Sequence, residues 1–222
     1  MQRTYKKKVY FRTIIPRLIP LLLTDNDGRK DASEPQMKSI PRSFVRGAAF
    51  ALARLLTHPS SAPAASNLIL PCLHSSLLTV ILPETSACTD PESILPLKSA
   101  YVSIKFLTTL LLNTDPSPAL ISSLITPILV PLYYLTEFFD TNPGVVLKNP
   151  EMKEMSQGLI RTWARVMGTP EARNGWWDII VGTGGWSSLA VLKFGNTLYD
   201  QNQPWNEWAV VEGELVVTQQ KR

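Results

Sequence analysis

Leu124-Ile125-Thr126-Pro127-Ile128-Leu129-Val130-Pro131-Leu132-Tyr133 is an apolar run broken twice by proline, and shortened copies of it stand earlier in the chain. Ile14-Ile15-Pro16-Arg17-Leu18 and Ile69-Leu70-Pro71-Cys72-Leu73 share with Ile125-Thr126-Pro127-Ile128-Leu129 the pattern Ile-x-Pro-x-Leu. The prolines fall at 16, 71 and 127, so the steps are 71 − 16 = 55 and 127 − 71 = 56. A second set of segments keeps the same step. Arg46-Gly47-Ala48-Ala49-Phe50-Ala51-Leu52-Ala53-Arg54-Leu55 resembles Gln157-Gly158-Leu159-Ile160-Arg161-Thr162-Trp163-Ala164-Arg165-Val166 across 157 − 46 = 111 residues, the two steps taken together. An interval shared by two different segments is an internal repeat.

Working outward, apolar residues at three- and four-residue spacing predict a helix over Tyr5 to Leu23 through Val9, Phe11, Ile14, Ile15, Leu18, Ile19 and Leu22. It reads as the second helix of a repeat whose first helix is missing. The polar stretch from Thr24 to Pro41 reads as a loop. The pair at 39–80 has a first helix from Ser39 to Leu56, a turn at His58-Pro59-Ser60-Ser61-Ala62-Pro63, and a second helix carrying Pro71. The pair at 91–139 is expected to start on Asp90 as N-cap, with Pro91 and Glu92 in the first turn, and to turn at Thr114-Asp115-Pro116-Ser117-Pro118. The pair at 150–181 is expected to open with Asn149 as N-cap, Pro150 at the first helical position, and Glu151 and Glu154 complementing the helix dipole.

Helix pairs that cannot bury both faces alone bury them by stacking, so the reading is all-α: an α-solenoid of HEAT/armadillo-like pairs over 1–190, with a period of about 55 residues. Prolines inside the second helices would kink them to suit a superhelical stack. Residues 191–222 form an irregular tail in this reading, in which Glu207 to Thr218 is either a short strand or a frayed helix. With its partner missing, the helix at 5–23 is expected to leave an apolar face uncovered and to favour self-association.

Composition sets the bounds. The chain of 222 residues, 45% hydrophobic and 18% charged, holds enough apolar material for a packed core. A net charge of +4 with one short basic run, Lys6-Lys7-Lys8, is too little for a nucleic-acid footprint. Cys72 and Cys88, with only His58 and His74 beside them as soft ligands, support neither a disulfide framework nor a zinc site, so no metal or other cofactor is expected, and a reducing, cytoplasmic compartment is. Arg12, Pro16, Arg17 and Pro20 break the apolar core that a signal peptide needs. The uncharged stretch from Pro116 to Thr136 raises an alternative, a membrane-associated protein inserting 118–134, set against a helix that is apolar all round because it is buried.

No residue cluster announces a reaction. Gly182-Thr183-Gly184-Gly185-Trp186 lacks the Gly-Lys-Ser/Thr ending of a phosphate loop and reads as a helix-to-helix break. No serine stands in a nucleophile elbow, and the chain is read as a non-enzyme without a small-molecule substrate. Candidate partner-binding residues are Trp163, Trp176 and Trp177, against core filling at the end of a stack, and Arg46, Arg54, Arg161 and Arg165, against a solvated face.

The segment from Leu107 to Trp177 resembles a known family. It is similar to the HEAT-repeat proteins called transport and Golgi organisation protein six in animals and, in fungi, an assembly and nuclear-transport factor of RNA polymerase II. The residues that carry the resemblance are Leu111 to Pro118, Ser123 to Tyr133 and Gly158 to Gly168, and Phe44 to Pro71 is similar more weakly. It implies a scaffold for other proteins, RNA polymerase II subunits and transport factors or secretory proteins, in the cytoplasm with shuttling to the nucleus. Family members are longer than this chain, so the resemblance implies a portion or shortened copy of a larger solenoid. It ends after Met167.

Overall fold

In the computed structural model the described residues are 2–24, 40–78, 80–81, 99–148, 150–186 and 205–220. They form α1 Gln2–Leu23, α2 Arg42–Thr57, α3 Ala62–Leu78, β1 Val80–Ile81, α4 Ala100–Leu112, α5 Pro118–Leu124, α6 Leu129–Thr141, α7 Pro143–Lys148, α8 Pro150–Val166, α9 Thr169–Val181, β2 Trp205–Val211 and β3 Glu214–Gln220. The protein is mostly helical with a small sheet. Asp90, Pro91, Glu92, Cys88 and Asn149 lie outside the described residues, and α4 starts instead at Ala100, where the Ser99 side chain accepts a hydrogen bond from Val102 N–H. Ser117 caps α5 in the same way, accepting from Leu120 N–H, with Pro118 in the first turn.

The apolar positions of the first helices recur with the period. Val45, Ala48 and Leu52 are buried in α2. Ala100, Ser103 and Leu107, 55 residues on, are buried in α4, and Ser156, Leu159 and Trp163, 56 further on, are buried in α8. The second helices α3 and α5–α6 also correspond across 56 residues, where Ala65, Ile69 and Leu73 match Ile121, Ile125 and Leu129, all buried. The correspondence fails at the two ends. With Pro16 aligned on Pro71, the buried Ile15 matches the half-buried Leu70, so α1 is turned by one residue. In α9 only Gly175 and Ile179 are buried, off the repeat's positions.

The packing is not a simple row of hairpins. α4 is covered by α1, α2, α3 and α8 and has little contact with α5 or α6, while α8 lies against both α4 and α6. α4 is accordingly apolar nearly all round, with Ile104, Phe106, Leu107 and Leu110 fully buried. The uncovered face expected on α1 is corrected: Phe11, Ile15, Ile19 and Leu22 are buried against α2, α3 and α4.

Of the irregular tail expected over 191–222, the described part, 205–220, is regular, and of the two alternatives for Glu207 to Thr218 the strand holds and the frayed helix does not. Residues 205–220 are an antiparallel hairpin in the register Trp208↔Val217, closed by Glu212-Gly213, both at positive φ as a type I′ turn requires. β3 also pairs in parallel with β1 through Val80↔Val217. The hairpin is tied to the helices through Trp208, whose ring is buried and whose Nε1 donates to the Pro131 carbonyl at 2.9 Å. Trp186 lies between, stacked on Tyr134 at 5.7 Å and tilted against Trp208 at 5.9 Å.

Candidate functional site

The proline segment that anchors the repeat is interrupted rather than gently kinked. Pro127 has no N–H to give to Ser123, and Ile128 N–H turns to the Ile125 carbonyl at 3.0 Å, so Thr126–Ile128 is one 3-10 turn between α5 and α6. The Leu124 carbonyl loses its intrahelical donor. His74 of α3 supplies one, Nε2–H donating to it at 2.9 Å, which places the proton of the neutral ring on Nε2. Burial lowers the His74 pKa below its ordinary value, and the bond to Leu124 opposes that shift in part. On the other side Trp163 of α8 donates Nε1–H to Thr126 Oγ1 at 3.1 Å. The break is thus stitched to both neighbouring helices. The Pro118–Thr141 stretch is long and apolar enough to cross a membrane, and 67% of its most apolar window is buried inside the protein.

Trp163 is fully buried and meets the Trp176 ring edge-on at 6.0 Å, so its assignment to partner binding is corrected: it is a core residue. Trp176 is 39% exposed and packs its edge on Tyr133 at 6.5 Å, while Trp177 is 62% exposed on the outer side of α9 beside the exposed Ile180. Arg46, Arg54, Arg161 and Arg165 are exposed and make no ion pair among the described residues, and Arg161 donates only to Gln157 Oε1 at 3.2 Å. Arg54 and Arg165 occupy equivalent outward positions in α2 and α8, but Arg46 corresponds to Gln157 and Arg161 to Phe50.

Residues that spacing did not bring together line a groove of about 440 Å³ over α4. Its floor is Tyr101, Lys105, Thr109 and Leu112, one face of α4, with Asn113 following. Arg42 and Val45 from the start of α2 form one side, Glu151 and Met155 from the start of α8 the other, and Thr24 closes an end. The Lys105 ammonium sits 5.9 Å from the centre of the Tyr101 ring, a cation–π contact that steadies it. The signal for this groove was the i, i+4, i+8 row of α4. What concealed it is that two other helices, distant in sequence, provide the sides.

Among the described residues no three His, Cys, Asp or Glu side chains gather as metal ligands would. Cys72 is a half-buried free thiol whose pKa burial raises. The Glu137 carboxyl is raised by burial and by the nearby Asp140, and its Oε2 is buried without a hydrogen-bond partner. Asp140 is held by Lys153 at 2.6 Å. Gly182 ends α9: at φ 65° its N–H bonds Ile179, and Thr183 N–H bonds Asp178, the two bonds of a Schellman cap that turns the chain toward Trp186, and whether a second helix follows lies outside the described residues.

Comparison with protein families, with curated proteins and with solved structures finds no match to this chain.

Proposed function

We propose that the protein is a non-enzymatic helical-repeat scaffold of the HEAT-like solenoid class that binds other proteins, in RNA polymerase II assembly and nuclear import or in protein secretion. The observation that carries this reading is the shared inward register of α2, α4 and α8 at steps of 55 and 56 residues. Repeated helices with a common buried face also share a common outward face, and repeat proteins bind through such surfaces. The central place of α4 makes the stack more compact than an open superhelix. The pathway comes from the resemblance of Leu107 to Trp177 and surrounding segments, and cytoplasmic residence with nuclear shuttling follows from the same source.

The alternative, insertion of 118–134 into a membrane, is disfavoured by the inward packing of Leu120, Ile121, Leu124, Ile125 and Leu132. Affinity purification of the full chain from cells tests the scaffold: polymerase II subunits, transport receptors or secretory-pathway proteins are expected in stoichiometric amount. Recovery of none of these above a tag-only control would overturn it.

A further inference from the structure

We propose that the outward face of α2 docks a helix of a partner protein, one whose carboxylates stand two turns apart with an apolar residue midway between them. The inference rests on the scaffold reading and adds the chemistry of what the scaffold holds. α2 turns Val45, Ala48, Ala49, Leu52 and Leu56 into the core, and away from them Arg46, Phe50 and Arg54 form one ridge at four-residue spacing. All three are exposed, Phe50 at 65%. Aromatic and arginine side chains are the ones enriched where proteins bind each other. Arginine stems cover apolar surface while their head groups stay in water, so the ridge offers an apolar centre bounded by two cations. Gly47 stands beside Phe50 on the same side, and nothing lies within 4 Å of where its Cβ would be, so the face is open there.

Charge selects the occupant. α2 carries three arginines and no acidic residue, and Arg46 and Arg54 make no ion pair among the described residues. A guanidinium is always charged, and its planar fork matches a carboxylate. From Arg46 to Arg54 is 54 − 46 = 8 residues, about 12 Å along the axis. A helix laid along α2 presents carboxylates at i and i+8 with the same separation, and its residue i+4 then meets Phe50 in either direction of the chain. The equivalent ridge of α8 is Gln157, Arg161 and Arg165, which keeps two cations and has no aromatic residue between them. It provides the control.

Three synthetic peptides of about 15 residues, long enough to form a helix when bound, test this by fluorescence anisotropy against the full chain. The first carries Glu at i and i+8 and Leu at i+4, the second has Lys for both Glu, and the third has Ala for the Leu. The first is expected to bind about tenfold more tightly than either of the others, which lose the ion pairs or the apolar contact in turn. Arg46→Glu with Arg54→Glu should abolish the preference for Glu over Lys, and Phe50→Ala the preference for Leu over Ala. Arg161→Glu with Arg165→Glu makes the same charge change on α8 and should leave both preferences intact.

Equal binding of the three peptides, preferences that survive the α2 variants, or an equal loss in the α8 variant would overturn the proposal. So would equal peptide binding together with attachment to phosphatidylserine vesicles that the α2 double variant abolishes, which would give the face to a membrane. Arg46→Gln with Arg54→Gln answers the same question should the charge reversal fold poorly. The scaffold itself is judged separately. If wild type and the α2 double variant capture the same cellular proteins, this face is wrong and the scaffold stands; if wild type captures none, the scaffold fails whatever the peptides do.

Discussion

Gly175 lies where no side chain fits: a Cβ there would stand 2.5 Å from the Trp163 ring and 2.8 Å from Leu129. Gly175→Ala must push back a fully buried indole that also holds Thr126, so about 1–3 kcal/mol of stability should be lost, measured by urea unfolding. Gly182→Ala should cost at least as much, since it combines φ 65° with a Cβ 1.9 Å from the Trp186 carbonyl oxygen. Gly47→Ala, a helical glycine with nothing within 4 Å of the added carbon, should instead be neutral or stabilising. A loss at Gly47 equal to that at Gly175 would contradict the packing described.

His74 gives a pH signature at the same scale. Its folded pKa lies below the usual value of about 6.5, so below that pH the unfolded chain binds more protons than the folded one. Stability from this group is therefore complete above about pH 6.5 and falls as pH drops toward the folded pKa, by at most about 1.4 kcal/mol per unit. His74→Gln should flatten the fall over that window. An unaltered slope in His74→Gln would show that burial does not hold this ring neutral.

At the scale of elements, much was legible and the failures have causes. The helices α2, α3 and α8 lie where three- and four-residue periodicity puts them, because each keeps one apolar face. The proline segment was legible as a copy but not as a break. Prolines are accommodated inside a continuous helix at Pro71 and at Pro16 and Pro20, whereas at Pro127 the chain takes a 3-10 turn between α5 and α6, a difference the sequence copies do not show. The start of α4 at Ser99 was missed because Asp90-Pro91-Glu92 carries a stronger cap pattern than Ser99 does.

The hairpin was half legible. Trp-Ala-Val-Val before Glu212-Gly213 and Leu-Val-Val-Thr after it suit strands, but a single hairpin has no stability of its own. It stands because Trp208 inserts beneath Pro131 and Trp186 fills the space to Tyr134, contacts between residues far apart in sequence. No local pattern could announce them.

At the scale of the whole molecule, the candidate site was legible only in its parts. Of the two readings of Trp163, partner binding and core filling, its burial supports the second; Arg46, Arg54, Arg161 and Arg165 are exposed, as either reading of them requires; and the groove joins α2, α4 and α8 in a way spacing cannot give. The architecture makes α4 the hub, touched by four helices and by β3, with α9 and the hairpin at the rim. A helix whose Ile104, Phe106, Leu107 and Leu110 are fully buried among four neighbouring helices opens only with global unfolding, whereas rim elements open locally. Hydrogen exchange followed by mass spectrometry reads this directly on the intact chain. Amides of Ala100–Leu112 are expected to exchange slowest of all the described segments, with α2 and α8 next and Thr169–Val181 faster. Exchange in Ala100–Leu112 as fast as in Thr169–Val181 would contradict the repeat built around α4, and with it the scaffold.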